Sequence, residues 1–153
     1  MDDLEFCTAC QKDLEEVLVI ERENFHIPWK KESFLEEIKL ILQNKSKFFV
    51  LKVKGKIIGY VCCRVISPEA EVLKISVKKE FQGKGYGRKL LEHLITNLDA
   101  EIKNVYLEVR ESNIKARKFY EMYGFEKFLI REKFYPDKED AVVMKLELKK
   151  KGR

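Results

Sequence analysis

The stretch that most constrains this chain runs from Val72 to Leu98, VLKISVKKEFQGKGYGRKLLEHLITNL. Val72, Leu73, Ile75 and Val77 are apolar, three of them β-branched, and predict a strand. Tyr86, Leu90, Leu91, Leu94, Ile95 and Leu98 recur at steps of one, three and four, which predicts a helix with one apolar face. Between the two lies Gln82-Gly83-Lys84-Gly85-Tyr86-Gly87-Arg88. Alternate glycines where a strand becomes a helix leave backbone N–H groups uncovered and let a ligand come close. The N–H groups of a helix's first turn have no internal partners, and the helix dipole adds positive potential there. Lys84 and Arg88 strengthen it. The visitor such a turn suits is a phosphate or pyrophosphate.

Two familiar phosphate motifs fail here. The dinucleotide fingerprint G-x-G-x-x-G would need, after Gly83 and Gly85, a third glycine where Arg88 stands. The nucleotide P-loop fails because no Gly-Lys is followed by Ser or Thr. What stands in the chain is Q-x-x-G-x-G, made of Gln82, Gly85 and Gly87. On this hexapeptide alone, an ordinary glycine-rich turn and a pyrophosphate arm have similar weight.

Composition narrows the classes. A chain of 153 residues, 45% hydrophobic with three prolines, is of single-domain length and packs a core without staples. No apolar run approaches the roughly 20 residues that span a bilayer. The acidic start MDDLEF lacks the basic and apolar regions of a signal peptide, so the protein is expected in the cytoplasm, without a membrane. A net charge of +5 fits a nucleotide-like cofactor, a basic surface near RNA or simply solvated surface. Its basic clusters are scattered rather than forming a stripe with stacking aromatics, which argues against direct nucleic-acid binding. The basic end, residues 149–153, is expected to be a disordered, solvated tail. Cys7-x-x-Cys10 suggests zinc or redox chemistry, but Cys62 and Cys63 are strand neighbours pointing to opposite faces and do not complete a tetrahedral site. No metal is expected, and the four thiols read as free.

In order, Leu4–Phe6 reads as a strand, and Thr8 with Gln11 as a capping box before a helix buried through Leu14, Val17, Leu18 and Phe25. His26-Ile27-Pro28-Trp29 interrupts it. A second helix carries Phe34, Leu35, Ile38, Ile41 and Leu42. Residues 48–53 and 57–66 form a hairpin turning at Lys54-Gly55, and Ser67-Pro68 breaks the second strand. Past the central helix, Val105, Leu107 and Val109 alternate with Tyr106, Glu108 and Arg110, the pattern of a half-buried strand. Ser112 caps a helix through Ala116, Phe119, Tyr120 and Tyr123 that ends at Gly124. Residues 125–134 and 141–148 make the last pair of strands. The order β-α-α-β-β-β-α-β-α-β-β suggests an α/β domain over residues 1–153, a mixed sheet with helices on both faces.

These segments together resemble the GCN5-related N-acetyltransferases. Gln82-x-x-Gly85-x-Gly87 is similar to that family's pyrophosphate-arm motif, and Leu107-Glu108-Val109-Arg110-x-Ser112-Asn113 with Phe119-Tyr120-Glu121-x-Tyr123-Gly124-Phe125 to its second signature. Pro28-Trp29, Leu73-x-Ile75-Ser76-Val77 and Tyr135-Pro136 followed by Glu139-Asp140-Ala141 resemble the RimI type, which acetylates the N-terminal alanine of a small-subunit ribosomal protein. The resemblance covers nearly the whole chain and implies a mostly antiparallel central sheet, acetyl-CoA as cofactor, coenzyme A as product and a protein N-terminus as acceptor. Two positions depart from the type: Ile27 stands where Phe is usual, leaving a smaller apolar wall at the acceptor, and Tyr123 stands where smaller aliphatics are common. Other readings are the same fold acting on a protein lysine or a small amine, or a non-catalytic acyl-CoA-binding or RNA-associated module.

The resemblance also assigns roles, each with a plainer rival. Glu108 would be the base taking a proton from the amine, directly or through one water; otherwise it is a surface carboxylate paired with Arg110 or a lysine. Tyr120 would be the acid protonating the departing thiolate, since an unperturbed phenol near pKa 10 keeps its proton; on spacing alone it is a core aromatic, as Phe119 is. Gln82, Gly83, Lys84, Gly85, Tyr86, Gly87 and Arg88 would bind the cofactor's pyrophosphate, and Asn113 its pantetheine or phosphate region, or simply begin a helix. Ile75, Ser76 and Val77 would meet pantetheine amides along a strand edge, as a peptide would. Pro28, Trp29 and Tyr135 would frame the acceptor; otherwise Trp29 is a core anchor and Tyr135 a turn aromatic.

Overall fold

The computed structural model describes residues 3–149 and realises the expected element order. Strand β1 (Leu4–Thr8) leads through a short 3-10 turn (Gln11–Asp13) into α1 (Leu14–Asn24) and α2 (Lys31–Ile41). Strands β2 (Ser46–Val53), β3 (Lys56–Ile66) and β4 (Glu69–Val77) follow, then a second 3-10 turn (Lys79–Phe81) and α3 (Tyr86–Thr96). The chain ends with β5 (Asn104–Arg110), α4 (Ile114–Tyr123), β6 (Glu126–Arg131) and β7 (Ala141–Glu147). The seven strands are hydrogen-bonded in the order β1-β2-β3-β4-β5-β7-β6. The β1–β2, β2–β3, β5–β7 and β6–β7 pairs are antiparallel and the β4–β5 pair is parallel, so the sheet is mixed and mostly antiparallel, as expected. Contacts divide the chain into two compact units, one built from the residues up to Val65 with Leu73–Leu98, the other from Ile66–Val72 with the residues from Asp99 onward.

In the first unit the sheet carries helices on both faces. Phe48, Val50, Tyr60 and Cys62 pack in one cluster with Leu14, Val17 and Leu18 of α1 and Phe34 of α2. Phe49, the alternate residue of β2, turns the other way and meets His93 of α3 edge-on at 4.6 Å, while Phe6 of β1 stacks on the same imidazole at 4.2 Å. The β2–β3 hairpin turns at Lys54 (φ 52°) and Gly55 (φ 80°), where the sequence predicts it. At Gly59 of β3 there is no room for a side chain: a Cβ there would lie 2.9 Å from Leu90 Cδ1 and 2.9 Å from the Ser76 carbonyl oxygen. The leucine tip can move, but the backbone oxygen cannot move without shifting β4. Gly59→Ala is therefore expected to destabilise the protein by about 1–3 kcal/mol, measured as a lowered urea midpoint at unchanged m-value.

In the second unit, the parallel ladder runs from Glu69↔Asn104 to Val72↔Leu107, and β7 pairs along all of β5. Val105, Leu107 and Val109 are buried while Tyr106, Glu108 and Arg110 are half-buried, which is the alternation predicted. Strand β6 is shorter than the expected 125–134, and beyond its end at Arg131 the backbone turns at Lys133 (φ 51°).

Three local expectations are corrected. Thr8 belongs to β1, so the capping box falls on Cys10, whose N–H and thiol donate to the Asp13 carboxylate at 2.9 and 3.4 Å. Leu42 is not on a buried face: α2 ends at Ile41 and Leu42 is 94% exposed in the turn that follows. Asn113, not Ser112, caps α4, its side-chain oxygen accepting the Ala116 N–H at 3.2 Å. Of the expected basic tail, residues 150–153 lie outside the described residues. No helix among the described residues is long and apolar enough to cross a membrane.

Candidate active site

The glycine-rich turn has the backbone its composition predicts. Gly83 (φ 76°) and Gly85 (φ 88°) are both left-handed, and nothing lies within 4 Å of a Cβ built on either. Gly85 is the N-cap of α3, and its carbonyl receives the helix's first bond from the Lys89 N–H at 3.1 Å. The N–H groups of the first turn, on Tyr86, Gly87 and Arg88, therefore begin a helix whose start is exposed at Gly83, Lys84 and Gly85. Tyr86 anchors the turn from below: it is buried, with Phe81 edge-on at 6.1 Å. The Lys84 ammonium sits 5.7 Å from the Phe81 ring centroid.

Gln82 does something the motif does not state. Its amide nitrogen donates to the Val77 carbonyl at 2.8 Å, tying the turn to the end of β4. The same carbonyl accepts from Asn24 at 2.8 Å, and the Asn24 amide nitrogen also reaches the Ser76 hydroxyl oxygen at 2.6 Å. The Lys78 N–H donates to the Ile58 carbonyl of β3, so by strand alternation the N–H and C=O of Ile75 and Val77 point away from β3. Val77 is buried and Ile75 half-buried.

Pro28 and Trp29 lie in the connection between α1 and α2, both half-buried. The connection is organised by Glu21, a carboxylate with 0% exposure on α1. One oxygen of Glu21 receives the Tyr60 hydroxyl proton bond; the other accepts the Trp29 N–H at 2.8 Å and faces the Lys74 ammonium at 2.8 Å. Lys74 in turn lies 3.7 Å from the Phe25 ring centroid and 5.4 Å from that of Trp29. A buried carboxylate is tolerated only when paired and hydrogen-bonded, and here it is both. The Trp29 ring also tilts against Phe34 at 5.1 Å, so Trp29 is partly the core anchor of the plainer reading.

In the second unit, Glu108 projects from the half-buried face of β5 and pairs with Arg131 of β6, the guanidinium Nε 2.6 Å from one carboxylate oxygen. The partner is thus Arg131 rather than Arg110. Arg110 is held elsewhere: one nitrogen donates to Asp137 and Glu139, each at 2.9 Å, and its guanidinium lies 4.1 Å from the Tyr135 ring centroid. The Ser112 N–H bonds the other Glu139 oxygen at 2.8 Å, and hydrogen bonding from the Ser112 side chain, then from Arg110 and from that N–H, holds the Glu139 carboxyl below its ordinary pKa. Tyr135 is thereby fixed beside β5. Burial, then the charge of Glu108, pushes its hydroxyl pKa up.

Tyr120 is buried on α4 between Phe119 at 5.1 Å and Phe125 at 5.6 Å, while Phe119 itself is only half-buried. Burial alone raises its hydroxyl pKa well above the ordinary phenol value, so the proton stays on oxygen throughout the physiological range. No hydrogen bond to that hydroxyl is formed among the described residues. The side-chain oxygen of Asn113 is engaged in its helix cap. None of the four cysteines forms a disulfide, Cys62 and Cys63 are buried, and no group of three His, Cys, Asp or Glu residues among those described could hold a metal ion.

Asn24, Glu21, Lys74 and Arg131 escaped the sequence reading. Glu21 and, on α2, Glu37 leave a signal: each sits at helical spacing within an apolar stripe, Glu21 after Leu14, Val17 and Leu18. Asn24 and Arg131 leave none, because their partners are distant in sequence.

Comparison with known proteins bears on this arrangement. Residues 14–125 match the acetyltransferase (GNAT) family. The chain is 34% identical over 148 residues to the [ribosomal protein bS18]-alanine N-acetyltransferase of Haemophilus ducreyi, covering 92% of this chain and 98% of that protein. It superposes on the crystal structure of the ribosomal-protein-S18-alanine N-acetyltransferase from Escherichia coli with a TM-score of 0.85 and 31% identity, covering 98% of each chain. The fold is also that of the PaiA N-acetyltransferase from Thermoplasma acidophilum, solved in complex with coenzyme A, at a TM-score of 0.80 and 21% identity over 95% of this chain and 99% of that one.

Proposed function

Because this chain belongs to the acetyltransferase (GNAT) family, we propose that it is an acetyl-CoA-dependent N-acetyltransferase acting on the N-terminal alanine of a small-subunit ribosomal protein, with residues 1–153 as one catalytic domain. The observation that carries this reading is the 34% identity to an alanine N-acetyltransferase over nearly the whole of both chains. The left-handed Gly83 and Gly85 support it at the cofactor, and the Glu21-held Trp29 supports it at the acceptor.

Acetyl-CoA supplies a thioester carbonyl, with its pyrophosphate taken by the turn from Gln82 to Arg88 and its pantetheine amides by the backbone of Ile75 and Val77, beside Ser76 and Asn113. Pro28, Trp29 and Tyr135 orient the acceptor's first residues. Glu108 accepts the proton that the amine loses on acylation, directly or through one water, using the oxygen turned away from Arg131. Tyr120 gives its proton to the leaving sulfur, so the products are an amide and a thiol. The proton on Glu108 then returns through solvent to the phenolate, and both groups are reset.

An α-amine has a reference pKa of about 7.7–8.0 against about 10.4 for lysine, so far more of it is neutral at pH 7.5 and a carboxylate base suffices. A peptide beginning with alanine is accordingly expected to be acetylated about 10²-fold faster than the same peptide with its N-terminus blocked and an internal lysine free. Mass spectrometry of both peptides after incubation with the protein and acetyl-CoA measures this. Equal rates would replace the N-terminal reading with the lysine one.

A further inference from the structure

The last turn of α1 ends in Asn24, and its amide nitrogen bridges two consecutive residues of β4, the Ser76 hydroxyl at 2.6 Å and the Val77 carbonyl at 2.8 Å. Gln82 closes the figure from the other side, donating to the same Val77 carbonyl at 2.8 Å and, at 3.4 Å, to the Asn24 side-chain oxygen. A backbone carbonyl has two lone pairs, and here two side-chain amides occupy both. The consequence lies on the edge of β4 that faces away from β3. With the Val77 carbonyl already satisfied, the polar backbone groups of these two residues left on that edge are the Val77 N–H and the N–H and carbonyl of Ile75, of which the Ile75 carbonyl and the Val77 N–H flank Ser76. One donor and one acceptor, two residues apart on one edge, match the pattern by which a strand binds a single amide-bearing residue in parallel register.

We infer that Asn24 is a positioning residue for the acyl-CoA, holding Ser76 and Val77 so that the β4 edge presents one fixed donor–acceptor pair to a pantetheine amide. This rests on the reading that the protein binds acetyl-CoA along β4, and it adds a residue outside the glycine-rich turn. It also recasts Gln82, which acts through the Val77 carbonyl rather than by touching phosphate. Because Asn24 and Gln82 act on one atom, their contributions to affinity are coupled rather than independent.

The test is a double-mutant cycle of Asn24→Ala and Gln82→Ala, read by calorimetric acetyl-CoA affinity and by steady-state kinetics on an alanine-first peptide. Each single variant is expected to weaken acetyl-CoA binding about five- to tenfold, the scale of one neutral hydrogen bond. The rise is in the acetyl-CoA KM, with a smaller change in kcat and the acceptor KM within twofold of wild type. The double variant is expected to deviate from the product of the two single losses. Losses that multiply as for independent sites, or unchanged affinity in a folded Asn24→Ala protein, overturn the inference. Asn24→Asp keeps the side-chain shape while replacing the donor, and carries the same cycle if the alanine variant does not fold; wild-type affinity in that variant overturns it equally. A wild-type protein that binds no acetyl-CoA overturns the underlying reading, an outcome distinct from variants that bind as tightly as wild type.

Discussion

Replacing Tyr120 by phenylalanine is expected to slow acetyl transfer by about 10²–10⁴-fold, the usual worth of a positioned general acid, while changing acetyl-CoA affinity by less than about twofold. The expectation joins the proposed role to the side chain's surroundings. Tyr120 is packed between Phe119 and Phe125, and burial keeps its proton on oxygen. A phenol in that state remains a donor even when the medium turns alkaline, whereas an exposed tyrosine begins to ionise near pKa 10. Phenylalanine preserves the ring that fills the space between its aromatic neighbours. With no protein hydrogen bond to the hydroxyl among the described residues, removing it strands no partner, so stability is expected to change little. Single-turnover kinetics, which report the chemical step rather than product release, are the measurement to use. A variant that keeps most of its single-turnover rate would make Tyr120 a core aromatic and nothing more.

The parts of the fold that could be read from sequence are those where a local pattern and the tertiary structure ask for the same thing. Helix α3 carries its apolar residues at helical spacing, and Tyr86, Leu90, Leu91 and Leu94 are buried on one face. Strand β5 alternates in sequence and in burial. The glycine-rich turn was legible because a left-handed backbone has few residues that adopt it, so Gly83 and Gly85 announce their own conformation. What could not be read depends on pairings made over long sequence separations. Period counting sends a charged residue outward, yet Glu21 has 0% exposure because Lys74, Tyr60 and the Trp29 N–H converge on it from other elements. Leu42 errs the opposite way: it continues an apolar stripe in sequence, but the helix has ended and the phase with it.

The same limit applies to the site. Alternation alone puts Glu108 on the polar side of its strand, but its partner depends on which strand lies two places along the sheet. Strand β7 separates β5 from β6, and that order brings Arg131 rather than Arg110 to the carboxylate. The motif puts Gln82 in the cofactor turn but carries no information on where its amide points. The direction comes from Asn24 and the end of β4, residues that the motif does not include.

Gly85→Val is expected to weaken acetyl-CoA binding by about 5- to 150-fold. Gly85 holds φ at 88° as the N-cap of α3, and a β-branched residue forced into that region carries about 1–3 kcal/mol of strain. No atom lies within 4 Å of the added Cβ, so the Cβ itself meets no clash. The turn relieves its strain by rotating out of the left-handed region, which swings the N–H groups of Tyr86, Gly87 and Arg88 off the position a pyrophosphate would occupy. The side chain also fills the open space through which the phosphates would approach the backbone. The helix beyond the cap is anchored by Leu90, Leu91 and Leu94, so the variant is expected to fold and the loss to fall on affinity. Gly85→Asn separates the two causes, because asparagine tolerates the left-handed conformation while still placing atoms in the approach. Near wild-type binding by the asparagine variant would assign the effect to backbone strain, and an equal loss would assign it to blocked approach. Calorimetry of a folded Gly85→Val protein showing wild-type affinity would mean that the pyrophosphate is bound elsewhere than at this turn.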